Sequence, residues 1–157
     1  MKITPAQEVT LAQLKETARA KRSAYRAAKA AYDTAKQIER EAEAEALRIG
    51  DFRDERTGQP ATASFRLSDE DFSRYLETYR DVLLSKGIDN PINNVYSCKF
   101  LDAYMEARIQ YREIAAKFLR VLGKDREADT LEKAARGYMR EDFEQRLFQI
   151  TDQFIGA

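Results

Sequence analysis

No histidine occurs among the 157 residues of this chain, there is one cysteine, and tryptophan is absent. The missing imidazole excludes the most chemistry. Ser-His-Asp and Cys-His triads, histidine general bases and every metal site built on imidazole need a residue that is not there. Cys98 alone forms no intrachain disulfide, closes no structural zinc site and holds no iron–sulfur cluster. A single cysteine in this setting reads as a small buried residue of a protein kept in a reducing compartment. Neither a Gly-x-x-x-x-Gly-Lys-Ser/Thr loop nor a Gly-x-Gly-x-x-Gly turn is present, so no glycine loop cradles a phosphate.

Other scarcities bear on the fold. There are 3 prolines and 6 glycines, and alternating apolar–polar runs of β-branched residues are missing, which argues against sheets and frequent turns. No apolar run approaches the ~18 residues of a membrane span. The opening residues Met1 to Pro5 carry no hydrophobic leader, so a cytoplasmic protein without membrane contact is expected. Lys plus Arg and Asp plus Glu both number 27. A protein that mainly grips a nucleic acid backbone carries a basic excess, which leaves only a local basic patch as a route to nucleic acid.

What the chain does contain is charge, 34% of residues, above the ~25% of an average globular protein, together with alanine at helical spacing. These features predict an all-α bundle of four to five helices, with a long, Ala-rich, coiled-coil-like N-terminal helix. The expected organisation is a helix over 4–49, a linker over 50–67 and a helical bundle over 68–157. Thr4, Pro5 and Gln7 form a start signal, with Thr4 as N-cap and Gln7 completing a capping box. From there to Ile49 neither glycine nor proline interrupts. Forty-five residues of unbroken helix would extend roughly 67 Å, so part of it is expected to project or pair. One heptad seam reads Leu11, Ala18, Tyr25, Tyr32, Glu39, Ala46, and the other Leu14, Lys21, Ala28, Ala35, Ala42, Ile49.

The later segments carry their own punctuation. Gly58 and Pro60 mark a loop between Gly50 and Arg66, with Phe52 and Phe65 placed to pin its ends. Ser68 is an N-cap followed by Asp69, Glu70 and Asp71 at the positive end of a helix dipole, with Leu67 and Phe72 in staple positions. Gly87 stops that helix. A third helix is predicted from about Asn94 to Leu122, ended by Gly123. Asp125 is the expected cap of a last helical segment running to Ile155, with a bend or split near Gly137 to Arg140.

Candidate functional residues fall into three groups. Lys15 to Lys36 holds seven basic residues against two acidic ones, and Glu39 to Glu45 holds four acidic residues against Arg40. Arg19, Arg22, Arg26 and Lys29, stepping by three and four, share one face. They could lie along phosphates, or face the acidic half of a second copy in an antiparallel homodimer through the first helix. Tyr and Arg interleave at Arg74, Tyr75, Tyr79, Arg80 and again at Tyr104, Arg108, Tyr111, Arg112, the residue types of binding hot spots and equally of ordinary core edges. Phe148 and Ile155 lie off the main stripe of the last helix and suggest a second apolar face for a partner. For catalysis only an all-carboxylate magnesium site of a helical nucleotide hydrolase is left, with Glu141-x-x-Glu144, Glu39/Glu43 and Glu41/Glu45 as pairs of suitable spacing; no matching second acidic motif follows Glu141-x-x-Glu144. The leading expectation is therefore a non-enzymatic helical protein–protein interaction module without metal or cofactor, acting as adaptor, assembly factor or stoichiometric inhibitor. Its general character, rather than any residue match, sets it beside phage and mobile-element products. Nucleic-acid binding through the basic face is the second expectation, and the magnesium hydrolase the third.

Overall fold

The computed structural model describes residues 3–62, 66–88, 96–134 and 139–156. They form five helices: α1 (Pro5–Ile49), α2 (Asp69–Ser85), α3 (Cys98–Val121), α4 (Asp125–Lys133) and α5 (Glu141–Ile155). No strand occurs among the described residues, where β pairing is confined to an isolated antiparallel bridge between Arg53 and Pro60.

The local signals explain the helix ends. The Gln7 backbone N–H donates to Thr4 Oγ1 at 3.2 Å and the Thr4 N–H donates to Gln7 Oε1 at 2.8 Å, so the capping box forms as the sequence predicts. The Gln7 side-chain amide also donates to the Val121 carbonyl at 2.7 Å. Ser68 caps α2 by accepting from the Asp71 N–H. At Gly123, with φ 78°, the Lys124 N–H reaches back to the Leu119 carbonyl at 2.8 Å and closes α3 with a left-handed stop that favours glycine. One cap differs from expectation. Lys124 occupies the N-cap position of α4 without a side-chain bond. Asp125 is instead the first helical residue, where its charge meets the positive helix end and Arg120 at 3.8 Å. The predicted split of the last segment falls between Lys133 and Glu141; Gly137 itself lies outside the described residues.

The chain forms two compact units, residues 1–29 with 103–157, and residues 30–102. Both α1 and α3 contribute to each. This division differs from the expected one, in which the long helix stood apart from a bundle. The physical reason is the alanine seam: Ala18, Ala35, Ala42 and Ala46 are essentially fully buried, because a methyl side chain lets other helix backbones approach closely. Burial recurs on α1 from Leu11 to Leu47. Much of the seam is thus occupied by the chain's own helices, while Ile49 at its end stays 56% exposed.

In the first unit, Leu11, Ala18 and Tyr25 of α1 pack with Tyr111, Ile114, Phe118 and Leu119 of α3, Leu131 of α4, and Leu147, Phe148 and Ile155 of α5. Three rings mark its centre. Tyr111 lies 4.6 Å from Phe148 and 5.6 Å from Tyr25, and Phe148 meets Tyr25 edge-on at 5.5 Å. Such pairs add about 0.5–1.5 kcal/mol each beyond area burial.

In the second unit, Ala42, Ala46 and Leu47 of α1 pack with Tyr75, Tyr79, Val82 and Leu83 of α2. The segment after α1 is shaped rather than loose. Asp51 takes a positive φ of 49°, which folds the chain back so that the Phe52 ring enters this core. A Cβ on Gly50 would lie 2.1 Å from that ring, so the position requires glycine. Beyond it, Asp54 and Gln59 close a turn through the Asp54 N–H at 2.8 Å. The Asp54 carboxylate accepts from the Arg56 N–H at 2.8 Å, a bond that holds its carboxyl below the usual range. Phe65, the other expected pin, lies outside the described residues.

Candidate functional site

The residues singled out from sequence converge, but on one another. Asp152 of α5 receives Arg22 at 3.5 Å, Arg26 at 3.7 Å and the Tyr111 hydroxyl at 2.6 Å. Arg19 donates from Nε to the Ile155 carbonyl at 3.1 Å, satisfying one of the carbonyls that a helix C-terminus leaves open. Lys29 reaches Glu141 at 3.5 Å. The basic stripe of α1 is therefore turned onto α5 of its own chain, with Arg22 buried and Arg26 largely exposed.

A second cluster surrounds Glu144. Arg108 Nε donates to both carboxylate oxygens at 3.0 Å, and Arg112 Nε donates to Oε2 at 2.5 Å. Arg112 also donates to the Ala134 carbonyl and pairs through Nη2 with Glu144. Arg112 and Glu144 are each 1% exposed. A buried charge is tolerated only when paired and hydrogen-bonded, and here two guanidinium groups fork around one carboxylate. Tyr104 is half-buried, with Tyr25 6.1 Å from its ring and the Arg108 guanidinium 5.9 Å from its centroid. The Tyr–Arg interleave of α3 thus builds a polar lattice that is buried at Tyr111 and Arg112 and half-buried at Tyr104 and Arg108.

Phe148 and Ile155 are core residues, 1% and 0% exposed. The expected second apolar face of α5 is covered because Tyr25 and Tyr111 close over it. Phe143, on the same helix, is 37% exposed. Cys98, read as buried, is exposed at the first residue of α3. The carboxylate pairs are also accounted for in part: Glu144 is held by two arginines, Glu141 faces Lys29, Glu41 accepts from Gln37, and Glu45 meets Lys86 at 3.6 Å. Among the described residues no three metal-ligating side chains converge.

In the second unit the structure brings together residues that the sequence offered only in separate groups. Lys36, Glu39, Arg40 and Glu43 of α1 and Phe72, Tyr75, Leu76 and Tyr79 of α2 line an open cavity of about 290 Å³. Its floor is aromatic. Tyr75 stacks on Tyr79 at 5.9 Å, and Phe72 adjoins Tyr75 at 6.3 Å. Phe72 stands 47% exposed, although it lies on the α2 face that carries the buried Tyr75, Tyr79 and Leu83. Burial, helped by the Glu39 and Glu43 charges, pushes the Tyr79 hydroxyl up to about 12; Tyr75 is raised by burial and by Glu43.

The charged groups of the cavity are not paired with one another. Lys36 Nζ lies over the Tyr32 ring at 5.3 Å, and Arg40 donates to Gln37 Oε1 at 2.7 Å. Glu39 accepts from the Ser97 N–H and, at 3.2 Å, from the Ser97 hydroxyl, placing a carboxylate at the positive end of α3. Burial alone raises the Glu43 carboxyl above its ordinary value. Parts of this site are visible in sequence: Tyr75 and Tyr79 belong to the Tyr–Arg interleave, and Glu39 and Glu43 form a spaced carboxylate pair. No family model, curated protein or solved structure matches this chain.

Proposed function

We propose that the chain is a non-enzymatic helical protein–protein interaction module whose recognition surface is the α1–α2 groove of residues 30–102. The observation that carries this reading is Phe72: a large ring on the core-facing side of α2, left about half exposed beside two tyrosines and a rim of charges. Aromatic anchors inside a polar rim are the composition of an interaction hot spot. Among the described residues no third metal-ligating side chain joins the groove's acids, and the chain has no histidine to act as a base at neutral pH, which supports the non-enzymatic reading. The basic stripe of α1 gives weaker support to a nucleic-acid role, because its members are bonded to α5.

Affinity capture from the native host, using the full chain, Phe72→Asp and Phe143→Asp, tests the proposal. One protein retained stoichiometrically by the full chain and by Phe143→Asp, and released by Phe72→Asp, is the expected outcome. Equal retention by all three moves the surface elsewhere. The lack of any stoichiometric partner overturns the module itself.

A further inference from the structure

We infer that the α1–α2 groove is built to receive a guanidinium-bearing side chain, an arginine of the partner, between the Phe72–Tyr75–Tyr79 rings and the Glu43 carboxylate. This deepens the interaction-module reading and rests on it for the partner, though not for the site.

Four observations converge. The rings of Phe72, Tyr75 and Tyr79 adjoin in sequence along one wall, and aromatic faces carry negative potential that attracts a cation. Glu43 lines the same cavity as these rings. Among the described residues no hydrogen bond or ion pair engages it. A half-buried carboxylate without a partner is a cost that an incoming cation relieves. The groove's own cations do not fill this role: Lys36 is drawn over Tyr32 and Arg40 is tied to Gln37.

Size and shape select the class of ligand. A cavity of about 290 Å³ sits at the small end of ligand clefts, ~300–1,000 Å³. It suits one side-chain head group rather than a nucleotide or cofactor. Of the two strongly basic side chains, arginine fits better. Its planar head stacks on rings while its forked donors address a carboxylate, whereas a lysine ammonium is a compact, strongly hydrated point charge.

The test titrates the intact chain with N-acetylargininamide and, in parallel, with its uncharged urea isostere N-acetylcitrullinamide at equal ionic strength. The readout is the ring resonances of Tyr75 and Tyr79, assigned by Tyr75→Phe and Tyr79→Phe. The cationic probe is expected to shift both saturably at millimolar concentration while the neutral one does not. Glu43→Gln is expected to weaken binding about fivefold or more, and Glu41→Gln, an exposed position on the same helix, to leave it unchanged. Equal shifts from both probes, or no saturable shift, would overturn the inference on the wild-type chain alone, whether or not Glu43→Gln folds. Loss of partner capture by Phe72→Asp without arginine binding would leave the module standing and remove this site's ligand. Arginine binding without any macromolecular partner would do the reverse.

Discussion

Glu144 and Arg112 show how far a single residue's role depends on its surroundings. Both are charged and both are essentially absent from the surface. Removing one member of a buried pair leaves an uncompensated charge and costs about 3–5 kcal/mol. Glu144→Leu is therefore expected to lower the urea midpoint strongly, and Glu144→Leu combined with Arg112→Met to recover much of the loss; a double variant as unstable as the single would contradict this account. Glu43 carries a different burden. Its carboxyl is raised above the ordinary 4.5 by burial, so the folded chain holds its proton longer than the unfolded chain does. That contribution is complete below pH 4.5 and fades as pH rises through the raised value. Glu43→Gln should accordingly raise the melting temperature at neutral pH, with the difference closing in acid. Tyr25, buried and beside Tyr104, and Tyr79, buried beside Glu39 and Glu43, are pushed from 10.0 up to about 12. Stability tied to their burial is present below pH 10 and lost as pH climbs through about 12. Phenolate absorbance of the folded chain should lag that of the chain in urea over this window, and coincident titrations would refute it.

At the scale of the element, α1 is governed by two devices, its cap and its alanine seam. The capping box at Thr4 and Gln7 was legible because its chemistry is local: two side chains and two backbone amides within one turn. The second bond of Gln7, to Val121, joins residues far apart in sequence and was not legible. Thr4→Ala should cost about 0.5–2 kcal/mol and Gln7→Ala more, as measured by chemical denaturation. The seam makes a sharper test. Ala18 is 0% exposed, whereas Ala24 on the same helix is exposed. Ala18→Leu forces extra methylenes into a filled core and should cost about 1–3 kcal/mol, while Ala24→Leu should stay within about 0.5 kcal/mol. Equal effects would mean the seam is not packed. In the linker, Gly58 and Pro60 announce a turn and Phe52 is the expected pin at its start, but no local signal says which core receives that ring. It is seated in the second core and admitted by Gly50.

For the whole molecule, the two units set the pattern of stability. Leu131, 0% exposed, belongs to one core and Phe52, 2% exposed, to the other. Truncating either to alanine should cost on the order of 2–5 kcal/mol. Hydrogen exchange should locate the loss, in α4 and α5 for Leu131→Ala and in α2 for Phe52→Ala, because local opening follows cooperative packing units. Uniform loss of protection for both would show a single cooperative core. No helix among the described residues is long and apolar enough to cross a membrane.

Sequence alone determined the helical class, the start of α1, the stops at Gly87 and Gly123 and the break in the last segment, since each depends on propensity, periodicity or capping within a few residues; that α1 runs unbroken from Pro5 to Ile49 came from the structure. Which faces are covered was decided only by the tertiary structure. The stripe Arg19, Arg22, Arg26, Lys29 looks free until α5 presents Asp152 and Glu141 to it. Phe148 looks spare until Tyr25 and Tyr111 meet it, and Phe72 looks like a helix staple until its ring is found in an open groove. Periodicity fixes the direction of a side chain relative to its own helix. Burial and pairing depend on a second element whose arrival no local pattern encodes.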